Sequence, residues 1–215
     1  MGKNAIVLGA TGLIGSNIVD LLCKDDFFSS VKVIVRREIE VNHPKLTVDI
    51  IDFDNQEAFK EAIKGADIVF CAVGTTRKNV KGDMVAYRKV DYDIPVNAAK
   101  YSAEWGVKHF AVVSSIGADS TKTNFYLKMK GEMEDRISNL GVPSLHIFRP
   151  SLLLGSRSEK RLLEDIGQFF LPYLSFFFPT SMKPIEGKTV AHAMVNAVKN
   201  EDEGIFIYEY KEMKA

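Results

Sequence analysis

Short apolar runs alternate with amphipathic segments along the whole chain. The runs are rich in β-branched residues, which is typical of strands buried on both faces of a parallel sheet. They predict strands at Ala5–Leu8, Val31–Val35, Leu46–Ile51, Ile68–Val73, His109–Ser114, Ser144–Phe148 and Ile205–Tyr208. The run Ser144–Phe148 alternates polar and apolar residues, which indicates a place nearer the edge of the sheet.

The intervals between these runs carry apolar residues at helical spacing. This spacing predicts helices that begin at Leu13 and that cover residues 55–64, 83–105, 126–140 and 190–198. Pro95 lies within residues 83–105 and predicts a kink or two separate helices there.

Repeated β–α units with buried strands predict an α/β fold, a doubly wound parallel sheet of the Rossmann-like kind with helices on both faces. We expect residues 1–215 to form a single domain. Residues 151–189 lose the regular rhythm, and we expect them to form a short irregular C-terminal cap on the substrate side.

The composition excludes several classes of function. The chain has 28 basic and 28 acidic side chains, so no basic face predicts a nucleic-acid partner. Its 2 cysteines and 4 scattered histidines provide neither a disulfide framework nor the spacing of a metal site. The longest apolar stretch, residues 169–179, is far shorter than the roughly 20 residues of a membrane helix. Without a signal peptide or a membrane span, the sequence predicts a cytoplasmic protein.

A glycine-rich turn follows the first predicted strand and opens the first helix. A dinucleotide pyrophosphate binds to bare backbone N–H groups at such a helix N-terminus. Glycine permits the tight turn, the approach of the phosphates and the close packing of helix on strand. We therefore predict that this turn contacts a dinucleotide cofactor through Gly9, Thr11, Gly12, Leu13, Ile14 and Gly15.

The second strand ends in two arginines, Arg36 and Arg37. An acidic residue near this point binds the ribose of NAD, whereas arginine accommodates the 2′-phosphate of NADP. The arginines favour NADP(H), while Glu38 directly after them leaves NAD(H) as the alternative.

A second set of residues carries acid–base chemistry. Ser115 ends the fifth strand, and Tyr126 and Lys130 are i,i+4 neighbours on the next helix. A lysine ammonium lowers the pKa of a nearby tyrosine toward the working range, and a serine hydroxyl can orient a carbonyl group. In the alternative, Tyr126 packs on the sheet and Lys130 lies on the surface. Ser114 is the substitute if Ser115 points inward.

Together these residues resemble the short-chain dehydrogenase/reductase superfamily, in its atypical or extended branch. Further motifs resemble the Tat-interactive-protein-like oxidoreductases, and they cover nearly the whole chain. These motifs are Cys71–Lys78, Tyr87–Tyr92, Val107–Phe110, Ser114–Ala118, Lys130–Glu132, Phe148–Ser151, the residues Arg157, Glu159 and Arg161, and Ala193–Asn196.

The resemblance implies an NADP-binding domain in which Ser115, Tyr126 and Lys130 are catalytic. It places Asp52 and Phe53 beside adenine, Val73, Gly74 and Thr75 beside the ribose, and Pro150 and Ser151 near the nicotinamide. Lys130 would also hold the nicotinamide ribose. The sequence departs from the superfamily at Asp91, where an asparagine often stands, and this departure puts the usual proton relay in doubt.

Two functions are compatible with these observations. The first is an NADP(H)-dependent oxidoreductase that acts on a small carbonyl or alcohol substrate. The second is an NADP(H)-binding redox sensor or scaffold without turnover. The Phe-rich segment 169–178 could line an apolar substrate pocket, form a surface for a protein partner or a homo-oligomer, or complete the core.

Overall fold

The computed structural model describes residues 2–154 and 183–215. Most of the predicted cap, the residues Arg157, Glu159 and Arg161, and the Phe-rich segment lie outside the described residues. The described part forms a single α/β domain around one large sheet, as the alternation of strand and helix patterns predicts.

All pairings in the main sheet are parallel, and its strands run in the order β3-β2-β1-β4-β5-β6-β9. The strands of this sheet are β1 (Lys3–Leu8), β2 (Phe28–Val35), β3 (Leu46–Ile50), β4 (Ile68–Cys71), β5 (His109–Val113), β6 (Ser144–Phe148) and β9 (Gly204–Tyr208). A separate two-stranded sheet consists of β7 (Leu153–Leu154) and β8 (Ile185–Glu186). It pairs the end of the first described range with the start of the second. The doubly wound parallel sheet is therefore confirmed.

The helices cover both faces of the sheet. They are α1 (Leu13–Lys24), α2 (Gln56–Ile63), α3 (Met84–Arg88), α4 (Ile94–Glu104), α5 (Phe125–Ser138), α6 (Gly187–Ala197) and α7 (Tyr210–Lys214). One apolar cluster lies between the sheet and α1, α6 and α7, with Ile18 and Met194 among its buried members. The other lies under α2, α4 and α5, with Phe59 and Met133 among its buried members.

The predicted interruption near Pro95 is confirmed, and its form is a π-helical turn. Residues Lys89–Asp93 form this turn between α3 and α4, and Pro95 follows in the first turn of α4. A proline has no N–H for the carbonyl four residues earlier and its ring collides with that carbonyl, so a wider turn relieves both problems. The turn carries Asp91, which is buried.

The prediction that β6 lies nearer the edge of the sheet is confirmed, since β6 is second from the edge, beside β9. All residues of Ser144–Phe148 are nevertheless buried. The polar residues of β6 are paired internally, because Ser144 Oγ lies 2.9 Å from His146 Nε2 and Tyr208 Oη lies 3.1 Å from His146 Nδ1. Polar groups that are hydrogen-bonded can occupy a buried strand, so the alternation of polar and apolar residues does not mean that β6 is exposed.

The strand order reverses between β1 and β4. The chain moves outward from β1 to β2 and β3 and then returns to place β4 on the other side of β1. In open parallel sheets, ligands bind in the crevice outside the carboxyl ends of the strands at such a switch point. Within the described ranges, no helix is long and apolar enough to cross a membrane, and no cluster of metal-ligating side chains occurs.

Candidate functional site

The glycine turn lies at the carboxyl end of β1 and borders the switch-point crevice. Gly9 has a φ of 83°, a conformation that strongly favours glycine, and an added Cβ would lie 2.5 Å from the Ala72 carbonyl oxygen. An added Cβ at Gly15 would lie 2.1 Å from the carbonyl oxygen of Gly9. These contacts explain why the loop after β1 can pass directly against the residues after β4.

Helix α1 begins without a side-chain cap. Its N-cap residue is Gly12, which has no side chain to accept from the free N–H groups of the first turn. The side chains of the next two residues pack inside the protein: Ile14 is buried in the core, and Leu13 lies against Gly187 of α6. Leu13 and Ile14 thus offer backbone N–H groups at this turn, while Thr11 is exposed beside it.

The two arginines follow β2 and are both exposed. Arg36 borders a cleft of about 300 Å³ together with Ile50, Ile51 and Asp52 at the end of β3. Within the described part of the chain, neither Arg36 nor Arg37 forms an ion pair. A cationic group beside this cleft is available for an anionic ligand.

Asp52 and Phe53 occupy different environments. Asp52 is exposed at the cleft, and one of its carboxylate oxygens accepts a hydrogen bond from the Asp54 N–H at 3.0 Å. The ring of Phe53 is buried and meets Phe59 edge to face, with 4.8 Å between the centroids. Phe53 is therefore part of the apolar cluster under α2, α4 and α5.

Ser115, Tyr126 and Lys130 come together where β5 ends. Ser115 is buried in the loop after β5, and its hydroxyl interacts with the Tyr126 hydroxyl. Helix α5 reaches this loop because its Gly131 leaves room: an added Cβ there would lie 2.1 Å from the Ser120 nitrogen. Asn124 caps the helix by accepting from the Leu127 N–H at 3.1 Å, one residue before α5 begins.

Lys130 forms a buried ion pair with Asp91. The Lys130 Nζ lies 3.3 Å from Asp91 Oδ1, and each side chain is 3% exposed. The other carboxylate oxygen of Asp91 accepts from the Thr75 N–H at 2.8 Å, and Lys130 also donates to the Val113 carbonyl at 3.5 Å. The lysine is thus held inside the site and does not lie on the surface.

The electrostatics of Tyr126 differ from the expectation. Burial of the hydroxyl raises the pKa of Tyr126, and the negative charge of Asp91 adds to this effect. The Lys130 ammonium and the Ser115 hydroxyl act in the opposite direction but are outweighed. Burial alone would lower the pKa of Lys130, yet the charge of Asp91 and the proximity of Tyr126 raise it, so the ammonium is retained.

The remaining predicted residues line the same edge of the sheet. Val73, Gly74 and Thr75 follow β4, and Gly74 leaves space beside Asp91, whose Oδ1 would be 3.6 Å from an added Cβ. Pro150 follows β6 and accepts from the Ile116 N–H at 3.0 Å. Ser151 is buried, and its hydroxyl donates to the Lys183 carbonyl.

Sequence reasoning missed two features of the site. Tyr87 on α3 is buried, and its ring meets that of Tyr126 edge to face with 6.4 Å between the centroids. Tyr87 stands four residues before Asp91, and this spacing could have indicated that the two residues share a helical face. The second is the pairing of Asp91 with Lys130, since the sequence marked Asp91 only as a departure from an asparagine.

These observations fit a dinucleotide. The bare glycine turn, the uncapped start of α1 and the crevice at the switch point are the features that bind a pyrophosphate. The hydroxyl of Ser114, the residue before Ser115, is buried without a partner among the described residues.

The sequence profile of a family described as NAD(P)H-binding matches residues 9–201. The chain belongs to this NAD(P)H-binding family. Protein HTATIP2 of Rattus norvegicus is 32% identical over 197 residues, which cover 90% of this chain and 80% of that protein. Protein FMP52-1, mitochondrial, of Scheffersomyces stipitis is 35% identical over 220 residues, covering 98% of this chain and 96% of that protein.

Solved structures share the fold of this NAD(P)H-binding chain. The Bordetella bronchiseptica enzyme WbmH, solved in complex with NAD+, matches with a TM-score of 0.73 and 20% identity, over 98% of this chain and 76% of that one. Together with the relatives, this likeness confirms the membership of the atypical short-chain dehydrogenase/reductase superfamily.

The relatives also correct one expectation. The sequence predicted a cytoplasmic protein, but the FMP52 relatives from three yeasts are named mitochondrial. That expectation came from a search for a signal peptide and a membrane span, neither of which identifies a mitochondrial protein. The cytoplasmic assignment is therefore wrong.

Proposed function

We propose that the protein is an NADP(H)-dependent oxidoreductase that transfers a hydride to or from a small carbonyl or alcohol substrate. The observation that carries this proposal is the convergence of Ser115, Tyr126 and Lys130 at the carboxyl edge of the sheet, next to the switch-point crevice. Membership of the NAD(P)H-binding family supports the cofactor class.

Each of the three side chains has a separate task. When bound, the nicotinamide supplies or accepts the hydride. The Ser115 hydroxyl orients the substrate oxygen, and the Tyr126 hydroxyl donates a proton to it or removes one from it. Lys130 binds the nicotinamide ribose and sets the charge beside Tyr126. Pro150 and Ser151 border the nicotinamide end of the site.

The preference for NADP(H) over NAD(H) rests on the cleft beside Arg36. This arginine is exposed, free of ion pairs in the described part and next to the end of β3, where the adenine ribose would lie. Its guanidinium can bind a 2′-phosphate through charge-assisted hydrogen bonds. Arg37 is the second cation at this position, and Asp52 and Phe53 border the adenine.

The part of the protein that binds the substrate is the part about which the sequence says least. We assign residues 151–189 to the cap that covers the substrate, within one NAD(P)-binding domain over residues 1–215. The Phe-rich segment 169–178 in this cap would present an apolar surface to a substrate, a protein partner or a second copy.

The names of the FMP52 relatives favour the mitochondrion as the compartment, which a fluorescent fusion of the full chain would test.

Two measurements test the function. Calorimetric titration with NADPH and with NADH tests the cofactor, and equal affinities would reject the preference. A panel of aldehydes, ketones and quinones, followed by NADPH oxidation, tests the reaction. Tight NADPH binding without turnover of any compound would support the alternative of a redox sensor or scaffold.

A further inference from the structure

The ion pair between Asp91 and Lys130 changes the charge of the site. If the residue paired with Lys130 were uncharged, the lysine would place one positive charge beside Tyr126. Here the carboxylate lies 3.3 Å from the ammonium, and both side chains are excluded from water. At this distance and depth the negative charge of Asp91 offsets part of the effect that the ammonium has on a third group nearby.

We propose that Asp91 is a positioning residue that neutralises the Lys130 ammonium, so that Tyr126 stays protonated, and able to donate a proton to a carbonyl oxygen, up to a higher pH than it would beside an unpaired lysine. This inference rests on the proposed function and adds how the protonation of the Tyr126 hydroxyl is set for the reduction of a carbonyl group.

The groups around Tyr126 support this reading. Asp91 comes from the π-helical turn, Lys130 from α5, Ser115 from the loop after β5, and Tyr87 from α3. Of these four, only Asp91 and Lys130 carry charges at neutral pH, and they form the pair. Behind them, Cys71 interacts with Lys130, and Arg77 interacts with Tyr87.

The local backbone holds the carboxylate in this place. The Thr75 N–H donates to the Asp91 oxygen that does not face the lysine, and the π-helical turn carries the residue toward α5. Burial raises the pKa of Asp91, while Lys130 and the Thr75 N–H favour its ionised form. Two donors on the two oxygens fix the carboxylate opposite the ammonium.

The chemical step balances with groups already named. The carbonyl carbon would receive a hydride from a reduced nicotinamide dinucleotide, a co-substrate that would be oxidised in this step. The C=O π bond opens, and the Tyr126 O–H bond breaks as its proton passes to the carbonyl oxygen. The resulting phenolate regains a proton from water. A tyrosine that is already ionised cannot begin this sequence.

The test is the ionisation of Tyr126 in the free protein, which requires neither substrate nor cofactor. The phenolate absorbance in the near ultraviolet is titrated against pH, and the curve of the Tyr126→Phe variant in the same background is subtracted. In Asp91→Asn, the uncompensated ammonium should lower the midpoint by about 1 pH unit. Asp91→Glu, which retains the charge, should restore a midpoint close to that of the native protein.

A second variant keeps the test decisive if Asp91→Asn does not fold. The double variant Asp91→Leu with Lys130→Met replaces the pair by apolar side chains, a change that buried ion pairs often tolerate. Its Tyr126 midpoint should match the native one, because both sites are neutral. An unchanged or higher midpoint in Asp91→Asn, or a clearly higher midpoint in the double variant, would overturn the inference. Failure to find a turnover substrate would leave these midpoints unaffected and would count against the proposed function alone.

Discussion

Arg149, directly after β6, donates to both oxygens of the Glu134 carboxylate on α5, from Nε at 3.1 Å and from Nη2 at 2.6 Å. Glu134 is one helical turn beyond Lys130, and Arg149 directly precedes Pro150 and Ser151. This bidentate pair therefore fixes the helix that carries the acid–base residues to the strand end that borders the nicotinamide end of the site.

Glu134→Gln should lower the free energy of unfolding by about 1.5–3 kcal/mol, because it removes charge-assisted hydrogen bonds from a buried carboxylate. Glu132 on the same helix is a matched control, since it pairs with Arg88 at 2.8 Å but both side chains are more exposed. Glu132→Gln should cost less than about 1 kcal/mol. Urea unfolding of both variants measures the difference, and equal losses would contradict the role given to burial.

Gly15→Ala should weaken NADPH binding by at least about tenfold and should lower the melting temperature. The added Cβ would lie 2.1 Å from the Gly9 carbonyl oxygen, so the turn must move away from the helix that it supports. Ser16→Ala, at the next position of α1, adds no such clash and should bind normally. Fluorescence titration with NADPH and a thermal melt measure both effects. Native affinity in Gly15→Ala would show that the turn does not hold the cofactor.

Arg36→Ala should reduce NADPH affinity about tenfold or more and leave NADH affinity unchanged, because a lost charge-assisted hydrogen bond costs about 1.5–3 kcal/mol. Arg37→Ala should reduce the NADPH affinity less than Arg36→Ala does, since the cleft beside the end of β3 is bordered by Arg36 and not by Arg37. Calorimetry with both cofactors gives the ratio of affinities. A ratio that stays at its native value in Arg36→Ala would reject the assignment of the 2′-phosphate to this residue.

Tyr126→Phe should lower kcat by about 10²–10⁴, the usual contribution of general acid–base catalysis. It should leave NADPH affinity nearly unchanged, because the ring is retained and only the hydroxyl is lost. Tyr210→Phe removes a hydroxyl from the other Tyr-x-x-x-Lys pair of the chain, in the C-terminal helix α7, and should retain native activity. A Tyr126→Phe variant with the native rate would mean that another group supplies the proton.

The glycine turn and its helix were predictable because their constraints are local. Gly9, Gly12 and Gly15 are close in sequence, and the strand before them and the helix after them are both marked by their apolar spacing. Tyr126 and Lys130 were predictable for the same reason, as they are one turn apart on α5.

The partner of Lys130 could not be predicted in the same way. Asp91 and Lys130 are distant in sequence, and their contact depends on how a π-helical turn and α5 pack over the ends of β4 and β5. The pKa of Tyr126 was misjudged for a related reason. The spacing shows that a lysine is near the tyrosine, but it shows neither how deeply the tyrosine is buried nor that a carboxylate offsets the charge of the lysine.

A buried histidine in the sheet gives the protein a predictable sensitivity to acid. His146 is 2% exposed between Phe206, whose ring stacks on it at 5.2 Å, and His109, whose ring stacks at 5.8 Å. Burial is the main cause that lowers the pKa of His146 to about 4, and His109 adds to it. Burial also lowers the pKa of His109.

The native protein should therefore lose stability as the pH falls from the usual histidine value of 6.5 toward about 4. Within this pH range the unfolded chain binds a proton at His146 and the folded chain does not. Lowering the pH therefore favours unfolding, by up to about 3 kcal/mol in total. His146→Gln can still hydrogen-bond to Ser144 and Tyr208 but does not titrate, so its stability should fall less steeply with acid. His192→Gln, on the exposed face of α6, should follow the native curve. Urea unfolding at several pH values through this window gives the slopes, and parallel curves for the native protein and His146→Gln would contradict the prediction.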